Sequence, residues 1–249
     1  MTLSLRNVGV WLINLENSIE RRRKMESRLD RLGLSYTLFV AVDGSNAIGN
    51  LGPKVDVKAF RRNMGRPVLP GDIGCYSSHL GVWRELVGSD FTVGLVLEDD
   101  VVFHDEFPEA VRVALSVSDD WDLVRFCSVR SKIPITRKKL QSFRLNAYVG
   151  PFTGNAAYMV TALAAKRLLP RLESMTRTHD HELNRFDVHN YRLMGLEPFS
   201  CHQDDGGKST ITGEQFKLVQ KPPWFRRLPY YFQKAGNYWR RWRWLAKNN

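Results

Sequence analysis

The stretch that most constrains this chain is residues 8–44, where a strand pattern, a helix pattern and a second strand pattern follow one another with short joins. VGVWLINL (8–15) is a mostly apolar run rich in β-formers, the signature of a buried strand. In SIERRRKMESRLDRLGL (18–34), Ile19, Met25, Leu29 and Leu32 recur at helical spacing and Gly33 supplies a stop. SYTLFVAVDG (35–44) returns to strand character and ends in an Asp-Gly turn. Two strands joined through a helix form a βαβ unit, which implies a parallel sheet with a right-handed crossover. An α/β architecture with an open sheet in its first half is therefore expected.

Residues 45–71 are rich in glycine and proline without a clear period and read as loop or irregular structure. Asp72 is placed to cap the helix IGCYSSHLGVWRELV, in which Ile73, Tyr76, Leu80, Trp83 and Val87 trace an apolar stripe. The strand TVGLVL follows and runs straight into three acids. DEFPEAVRVALSVS (105–118) has a helical pattern and WDLVRF (121–126) a strand pattern, while AYVGPFTGNAAYMVT (147–161) reads as a hairpin or paired strands. ALAAKRLLPRLESM reads as a helix broken or kinked near Pro170, and residues 176–213 are polar and loop-rich. The expected organisation is one domain over 1–213 and a basic, aromatic extension over 214–249. No stretch approaches the roughly 18 consecutive apolar residues of a membrane span, and the N-terminus reads as the first strand, not a signal peptide. Three cysteines without CxxC spacing argue against a disulfide framework or a zinc site and fit a reducing compartment.

The chemistry centres on GLVLEDDVVF (94–103), where Glu98, Asp99 and Asp100 sit between two apolar runs. Three adjacent like charges repel unless a cation compensates them. In open α/β sheets ligands bind beyond the carboxyl ends of strands, and these acids occupy such an end. Glu98 and Asp100 are two apart and share a side if the backbone stays extended. Hard oxygen donors in that arrangement suit Mg²⁺ or Mn²⁺, which keep water and phosphate as their remaining ligands. The bland alternative is a solvated turn, which the flanking apolar runs disfavour because they pin the acids to a buried scaffold.

INLENSIERRRKM (13–25), AVDG (41–44), GDIGCYSSHLGVW (71–83) and LVLEDDV (95–101) resemble, in order and spacing, the motifs of glycosyltransferase family 25. That family includes lipooligosaccharide galactosyltransferases and the related collagen galactosyltransferases. GNAAYMVTALAAKRLL (154–169), HDHELNRF (179–186) and EPFSCHQDDGGKSTI (197–211) are similar to its weaker C-terminal motifs. The resemblance implies a GT-A-like fold with a Rossmann-like nucleotide-binding half. It also implies inverting transfer of a sugar, usually from UDP-galactose, with Mn²⁺ or Mg²⁺ as cofactor. Carried onto this chain, Glu98 and Asp100 act as the DxD-like element, Asp100 as the better metal ligand and Glu98 facing metal or ribose. Asp72 stands where the family often has Glu. Asn14, Leu15, Arg21, Ala41, Val42, Asp43 and Gly44 match the positions around the nucleotide, Ser78 and His79 match its SH pair, and Asp99 belongs to the donor-binding set. Asp180 is the expected general base, with His181 or Asp187 as alternatives. His202 is the expected late metal ligand, with Gln203 and Asp204 beside it, and Gln203 and Ser209 are expected on the donor side.

Each residue has a plainer role. The ERRRK run is more often a solvated helix face, although one guanidinium turned inward suits phosphate. Asp43 can be a turn residue, and His79, beside Tyr76 and Trp83, a hydrogen-bonded core histidine. Tyr158 and Trp83 read as core.

Net charge is +11, yet from Gln215 onward there are nine Lys/Arg and no acid, so the tail holds most of the excess. PPWFRRLPYYFQKAGNYWRRWRWLAK (222–247) interleaves four of the seven tryptophans with arginines. Aromatics settle at a headgroup boundary and Lys and Arg attract anionic lipid, so a peripheral anchor on the inner face of the cytoplasmic membrane is expected. Nucleic-acid binding is the rival reading, disfavoured because the rest of the chain carries little basic excess; a plain interaction helix is a third. The expected function is a UDP-sugar-dependent glycosyltransferase acting on a glycolipid or oligosaccharide acceptor, lipopolysaccharide or lipooligosaccharide among them. The competing functions are a glycoside hydrolase using the carboxylates and a non-catalytic binding module.

Overall fold

The computed structural model describes residues 5–45, 54–204 and 228–248. The chain opens β1 (Val8–Asn14), α1 (Ile19–Arg31) and β2 (Thr37–Val40), the βαβ unit expected, with Met25 and Leu29 buried beneath α1. β3 (Lys54–Val55) and α2 (Val57–Met64) follow, then α3 (Pro70–Gly88), β4 (Val93–Glu98), β5 (Val101–Phe103) and α4 (Phe107–Ser116). After β6 (Leu123–Arg125) come β7 (Arg130–Ser131), β8 (Pro134–Leu140), β9 (Phe143–Tyr148), β10 (Phe152–Thr153), β11 (Ala157–Thr161) and α5 (Ala162–Leu172). β12 (Ser174–Met175), α6 (His179–Leu183), α7 (Phe186–His189), β13 (Leu193–Glu197), β14 (Cys201–Gln203) and α8 (Leu228–Lys247) complete it.

Eight strands form one sheet in the order β2-β1-β4-β11-β6-β13-β9-β8. β1 pairs in parallel with both β2 and β4, while β11 lies antiparallel between β4 and β6, so β6 points the same way as β4. β13 is parallel to β6, and β9 and β8 continue antiparallel. β4 is buried from Val93 to Leu97 without alternation, which is why its sequence is an unbroken apolar run. α3 covers this region with Tyr76, Leu80, Trp83 and Leu86 fully buried, and Tyr76 donates to the Leu172 carbonyl at 2.9 Å where α3 meets α5.

Several expectations are corrected. Residues 54–64 are not loop: Asp56 accepts from the Ala59 N–H at 2.9 Å and starts α2, which Gly65 ends at φ 68°, a left-handed conformation suited to glycine. Asp72 is not the helix cap, because Pro70 opens α3 two residues earlier; its carboxylate reaches back to the Leu69 N–H at 2.9 Å and takes a bidentate pair from Arg66 at 2.6 and 2.8 Å. β9 and β11 do not form a hairpin with each other but join β8 and β13, and β4 and β6, respectively. α5 is not broken at Pro170; it runs through that residue to Leu172, near its end, where a missing N–H costs one bond. Residues 176–203 hold two short helices and two strands, not mainly loop.

The tail is not a free appendage over the described residues. α8 buries Leu245 and Arg241, sets Trp244 edge-on against Phe186 at 5.3 Å, and pairs Arg240 with Asp187 at 3.0 Å. Arg137 donates to the Leu245 carbonyl at 2.7 Å. Trp239 and Trp242 remain exposed, and Arg243 lies over the Trp239 ring at 4.5 Å. No helix among the described residues is long and apolar enough to cross a membrane.

Candidate functional site

β1, β2, β4 and β6 point one way, so the residues after each of them emerge at one edge of the sheet. There they enclose a cleft of about 610 Å³. Its walls are Asn14 and Leu15 at the end of β1, Ala41 to Gly44 after β2, the acids at the end of β4, and Cys127 to Val129 after β6. Arg21 enters from α1, Ser78 and His79 from α3, and His202 and Gln203 from β14. That volume suits a drug-sized or nucleotide-sized ligand.

The 41–44 segment is fastened to α3 by a close backbone approach. The Val42 N–H donates to Ser78 Oγ at 2.9 Å, and that hydroxyl donates to the Gly74 carbonyl at 2.7 Å. A Cβ on Gly44 would sit 1.7 Å from the Pro70 oxygen, and one on Gly74 would sit 2.5 Å from the Val42 oxygen. Only glycines permit that approach. Asp43 accepts from the Ser45 N–H at 2.9 Å, the turn role considered for it, while also lining the cleft.

The acids are organised by named partners. Arg21 pairs with Asp99 at 2.9 Å and with Asp100 at 3.1 Å, and Asn14 donates to Asp99 at 2.7 Å. Arg21 therefore does turn inward, and in this structure it answers carboxylates. The backbone turns at 99–100, yet Glu98 and Asp100 still share a side: the Gln203 amide lies 3.3 Å from Glu98 and 3.5 Å from Asp100. Burial, then the Glu98 charge, pushes the Asp100 carboxyl up to about 7, against the opposing pull of Arg21. Burial also raises Asp99, with Arg21 and Asn14 working against it. Asp100 Oδ1 is buried with no hydrogen-bond partner.

Behind Glu98 runs a buried polar chain. Trp83 Nε1 donates to the Tyr158 hydroxyl at 2.9 Å, that hydroxyl meets His79 Nδ1 at 3.0 Å, and His79 Nε2 meets Glu98 at 3.0 Å. Burial raises the Tyr158 phenol well above its ordinary value, so it keeps its proton. The direction that satisfies every group has Tyr158 donating to Nδ1 and His79 donating from Nε2 to the carboxylate. His79 is thus both a hydrogen-bonded core histidine and a wall of the cleft. It stacks at 4.5 Å on His179, whose pKa burial holds well below the usual range. Cys75, Sγ included, forms with His79 and Glu98 a group whose donor atoms lie within 4.8 Å of one another.

Not every expected residue gathers here. β14 pairs with β5 so that Gln203 faces Val101, and the alternation of a strand separates Gln203 from His202. His202 turns to the rim and meets His104 at 2.8 Å, so Gln203 brings its side chain to the acids while Asp204 reaches them through its backbone N–H, on the Asp100 carbonyl at 2.8 Å. Asp180 is absent from the cleft wall: its oxygens accept from Thr178 at 2.7 Å, the His181 N–H at 2.8 Å and the Gly154 N–H at 3.3 Å. Burial works to raise its pKa, but His181, Thr178 and Arg125 outweigh it and hold it below the usual carboxylate range. Asp187 is engaged by Arg240 of α8. Ser209 lies outside the described residues.

Sequence reasoning missed Cys127, Ser128 and Val129. Their signal was the strand WDLVRF before them, whose carboxyl end points to the cleft once β6 is known to run with β4. It also missed Cys75, one helical turn before His79 on the same face of α3.

Comparison with known proteins supplies the family. A glycosyltransferase family 25 (LPS biosynthesis protein) pattern matches residues 8–183. A glycosyltransferase 25 family member from Aedes aegypti is 33% identical over 177 residues, covering 64% of this chain and 27% of that protein. Procollagen galactosyltransferase 1-A from Xenopus laevis is 29% identical over 169 residues, covering 64% of this chain and 28% of that protein. The match thus spans just over a quarter of the length of either relative. The crystal structure of A197 from STIV overlays with a TM-score of 0.34 at 13% identity, covering 78% of this chain and 82% of that one, and a likeness at that level carries no argument. The matched residues 8–183 exceed half the chain and include the strand ends, the glycine contact and the acid triplet that build the cleft: the chain belongs to glycosyltransferase family 25.

Proposed function

We propose that the cleft binds a UDP-sugar, galactose being the sugar named by relatives, and transfers it with inversion to a hydroxyl of a lipopolysaccharide or other surface glycan. The observation that carries this reading is the convergence of four strand ends on a nucleotide-sized cleft whose floor is the acid triplet. The 41–44 segment, clamped on α3, offers Asp43 and backbone groups to a nucleoside. Arg21 offers positive charge where a diphosphate would lie. Asp180, the proposed base, is held ionised as a base has to be, and its Oδ2, which accepts only the long Gly154 N–H bond among the described residues, keeps a lone pair for the acceptor hydroxyl.

The residues fit a divalent cation. Asp100 Oδ1 is a buried oxygen without a partner, and Glu98 places a second carboxylate on the same side. Asp100 and Glu98 would hold Mn²⁺ or Mg²⁺ as hard oxygen donors, with Gln203 beside them and His202 at the rim. A cation bound there supplies neutralisation of the departing diphosphate. The Cys75–His79–Glu98 group is a softer donor set and matches those hard ions less well. For the tail, the exposed Trp239 and Trp242 with Arg243 support contact with an anionic membrane surface, made from a docked helix.

Thermal unfolding with UDP, UDP-galactose and UDP-glucose, each with Mn²⁺ or with chelator, tests the reading. A ligand at 100 times its Kd adds about 2.7 kcal/mol, a rise of about 5–10 °C for a chain of this size. The rise is expected with UDP-galactose and Mn²⁺, and is expected to disappear in Asp100→Asn. No stabilisation by any UDP-sugar overturns the donor reading; equal stabilisation in chelator overturns the metal.

A further inference from the structure

Helix α1 carries a second cationic feature that leads away from the cleft. Arg21, Lys24, Arg28 and Arg31 are spaced three, four and three apart, so they line one side of the helix. A groove of about 380 Å³ opens along it, lined by Arg23, Lys24, Ser27, Arg28 and Arg31. Its two ends differ. Arg21 lies in the cleft on Asp99 and Asp100, and Arg28 donates to the Val101 carbonyl at 2.6 Å, the first residue after the acid triplet. The other charges of the helix face solvent: Arg23 and Lys24, between Arg21 and Arg28, and Arg31 beyond them are exposed.

No folding contact accounts for those three cations. Among the described residues none makes an ion pair with a carboxylate; on this helix Arg21, Arg22 and Arg28 do. Among the described residues Arg31 bonds only to the Ser27 carbonyl of its own helix, at 3.2 Å. Glu26 is used elsewhere, accepting from Tyr36 at 2.9 Å and pairing with Arg22 at 3.8 Å. Like charges three and four apart repel; Arg21 and Arg28 are offset by Asp99, Asp100 and Asp204, which leaves Lys24 and Arg31 for an anion from outside the chain. The eleven residues from Arg21 to Arg31, ten helical rises, span about 15 Å, enough for several groups of an extended ligand.

We propose that this groove is the anion subsite of the acceptor: it holds phosphate groups of a phosphorylated oligosaccharide whose reacting hydroxyl enters the cleft at the Arg21 end. The proposal rests on the reading of the cleft as a sugar-transfer site. Its argument is charge complementarity together with continuity, since one helix face joins the acid cluster to the groove. Guanidinium and ammonium groups three to four residues apart match phosphates carried on successive sugars, and contacts this exposed weaken as salt rises.

The test titrates the full chain with the phosphorylated core oligosaccharide of a lipopolysaccharide, fully deacylated, and with the same oligosaccharide after phosphatase treatment. The phosphorylated form is expected to bind at least about ten-fold more tightly at low salt, and Lys24→Glu with Arg31→Glu is expected to remove that preference. Lys24→Gln with Arg31→Gln, which deletes charge without reversing it, is expected to remove part of it. Equal affinity for the two oligosaccharides overturns the proposal, as does full preference retained by the double variants at wild-type melting temperature. A groove that binds phosphatidylglycerol vesicles through these residues while ignoring the oligosaccharide also overturns it and assigns the charges to lipid. UDP binding by the wild-type chain, measured without oligosaccharide, reports separately on the cleft.

Discussion

Tyr158→Phe deletes one oxygen atom from the polar chain behind the acids and leaves the ring in place. That oxygen accepts from Trp83 Nε1 at 2.9 Å and meets His79 Nδ1 at 3.0 Å, and all three side chains are essentially inaccessible to water. The substitution therefore strands an indole N–H and an imidazole nitrogen together. Each buried group left unmade costs about 1–3 kcal/mol, so the loss is about 2–5 kcal/mol. For a chain of this length that lowers the Tm by about 5–15 °C. Denaturant titration gives the free energy directly, and unchanged m-values would show that compactness is kept. The same variant also frees His79 to rotate away from Glu98, so donor-dependent stabilisation is expected to weaken along with fold stability. A loss below about 1 kcal/mol, with His79 still on Glu98, would refute the claim that this oxygen is shared between two buried partners.

Three further outcomes follow from other parts of the structure. Gly44→Ala places a methyl 1.7 Å from the Pro70 oxygen, and is expected to cost about 3 kcal/mol by urea unfolding and to weaken UDP binding measured by titration calorimetry. Leu245→Ala, at 2% exposure, is expected to cost about 2–4 kcal/mol by the same unfolding assay, whereas a tail independent of the domain would give none. Burial raises Glu182, but the His189 hydrogen bond and the Arg185 and Arg177 charges dominate and bring it from 4.5 to about 2. Its folded pKa lies below the unfolded one, so this stability is complete above about pH 5 and drains away as pH falls towards 2, by up to about 3 kcal/mol. Glu182→Gln should flatten that part of a stability–pH profile recorded by denaturant titration.

The parallel half of the fold was legible because its signals are local. β1 and β4 are apolar runs, α1 and α4 carry a helical period, and the rule that ligands lie beyond strand carboxyl ends led to the acids, while the 41–44 turn was singled out by the family resemblance. α2 was legible in principle, with Asp56 as its cap and Gly65 as its stop, but the surrounding glycines and prolines masked so short a helix. The other half depends on pairings between distant segments. Nothing in residues 157–161 says that they insert between β4 and β6, so the direction of β6, and with it the Cys127–Val129 wall, could not be read. The choice between His202 and Gln203 turned on strand register, since a shift of one residue exchanges which side chain meets the acids. The tail showed its composition but not its partners, because Phe186, Asp187 and Asn190 come together only in the folded chain.

Arg125, fully buried in β6, donates to the Phe152 carbonyl, to Asn155 at 2.7 Å and to the Asp180 carbonyl at 3.5 Å. Two stretches of chain, 152–155 and the one holding Asp180, are thereby tied to a single charge on β6 that neither can abandon without leaving it barer in a dry interior. The segments tied to Arg125 should accordingly resist hydrogen exchange as one block, opening only when the whole fold opens. At the acids, by contrast, the Arg21 and Gln203 side chains are held by contacts that an incoming anion can replace.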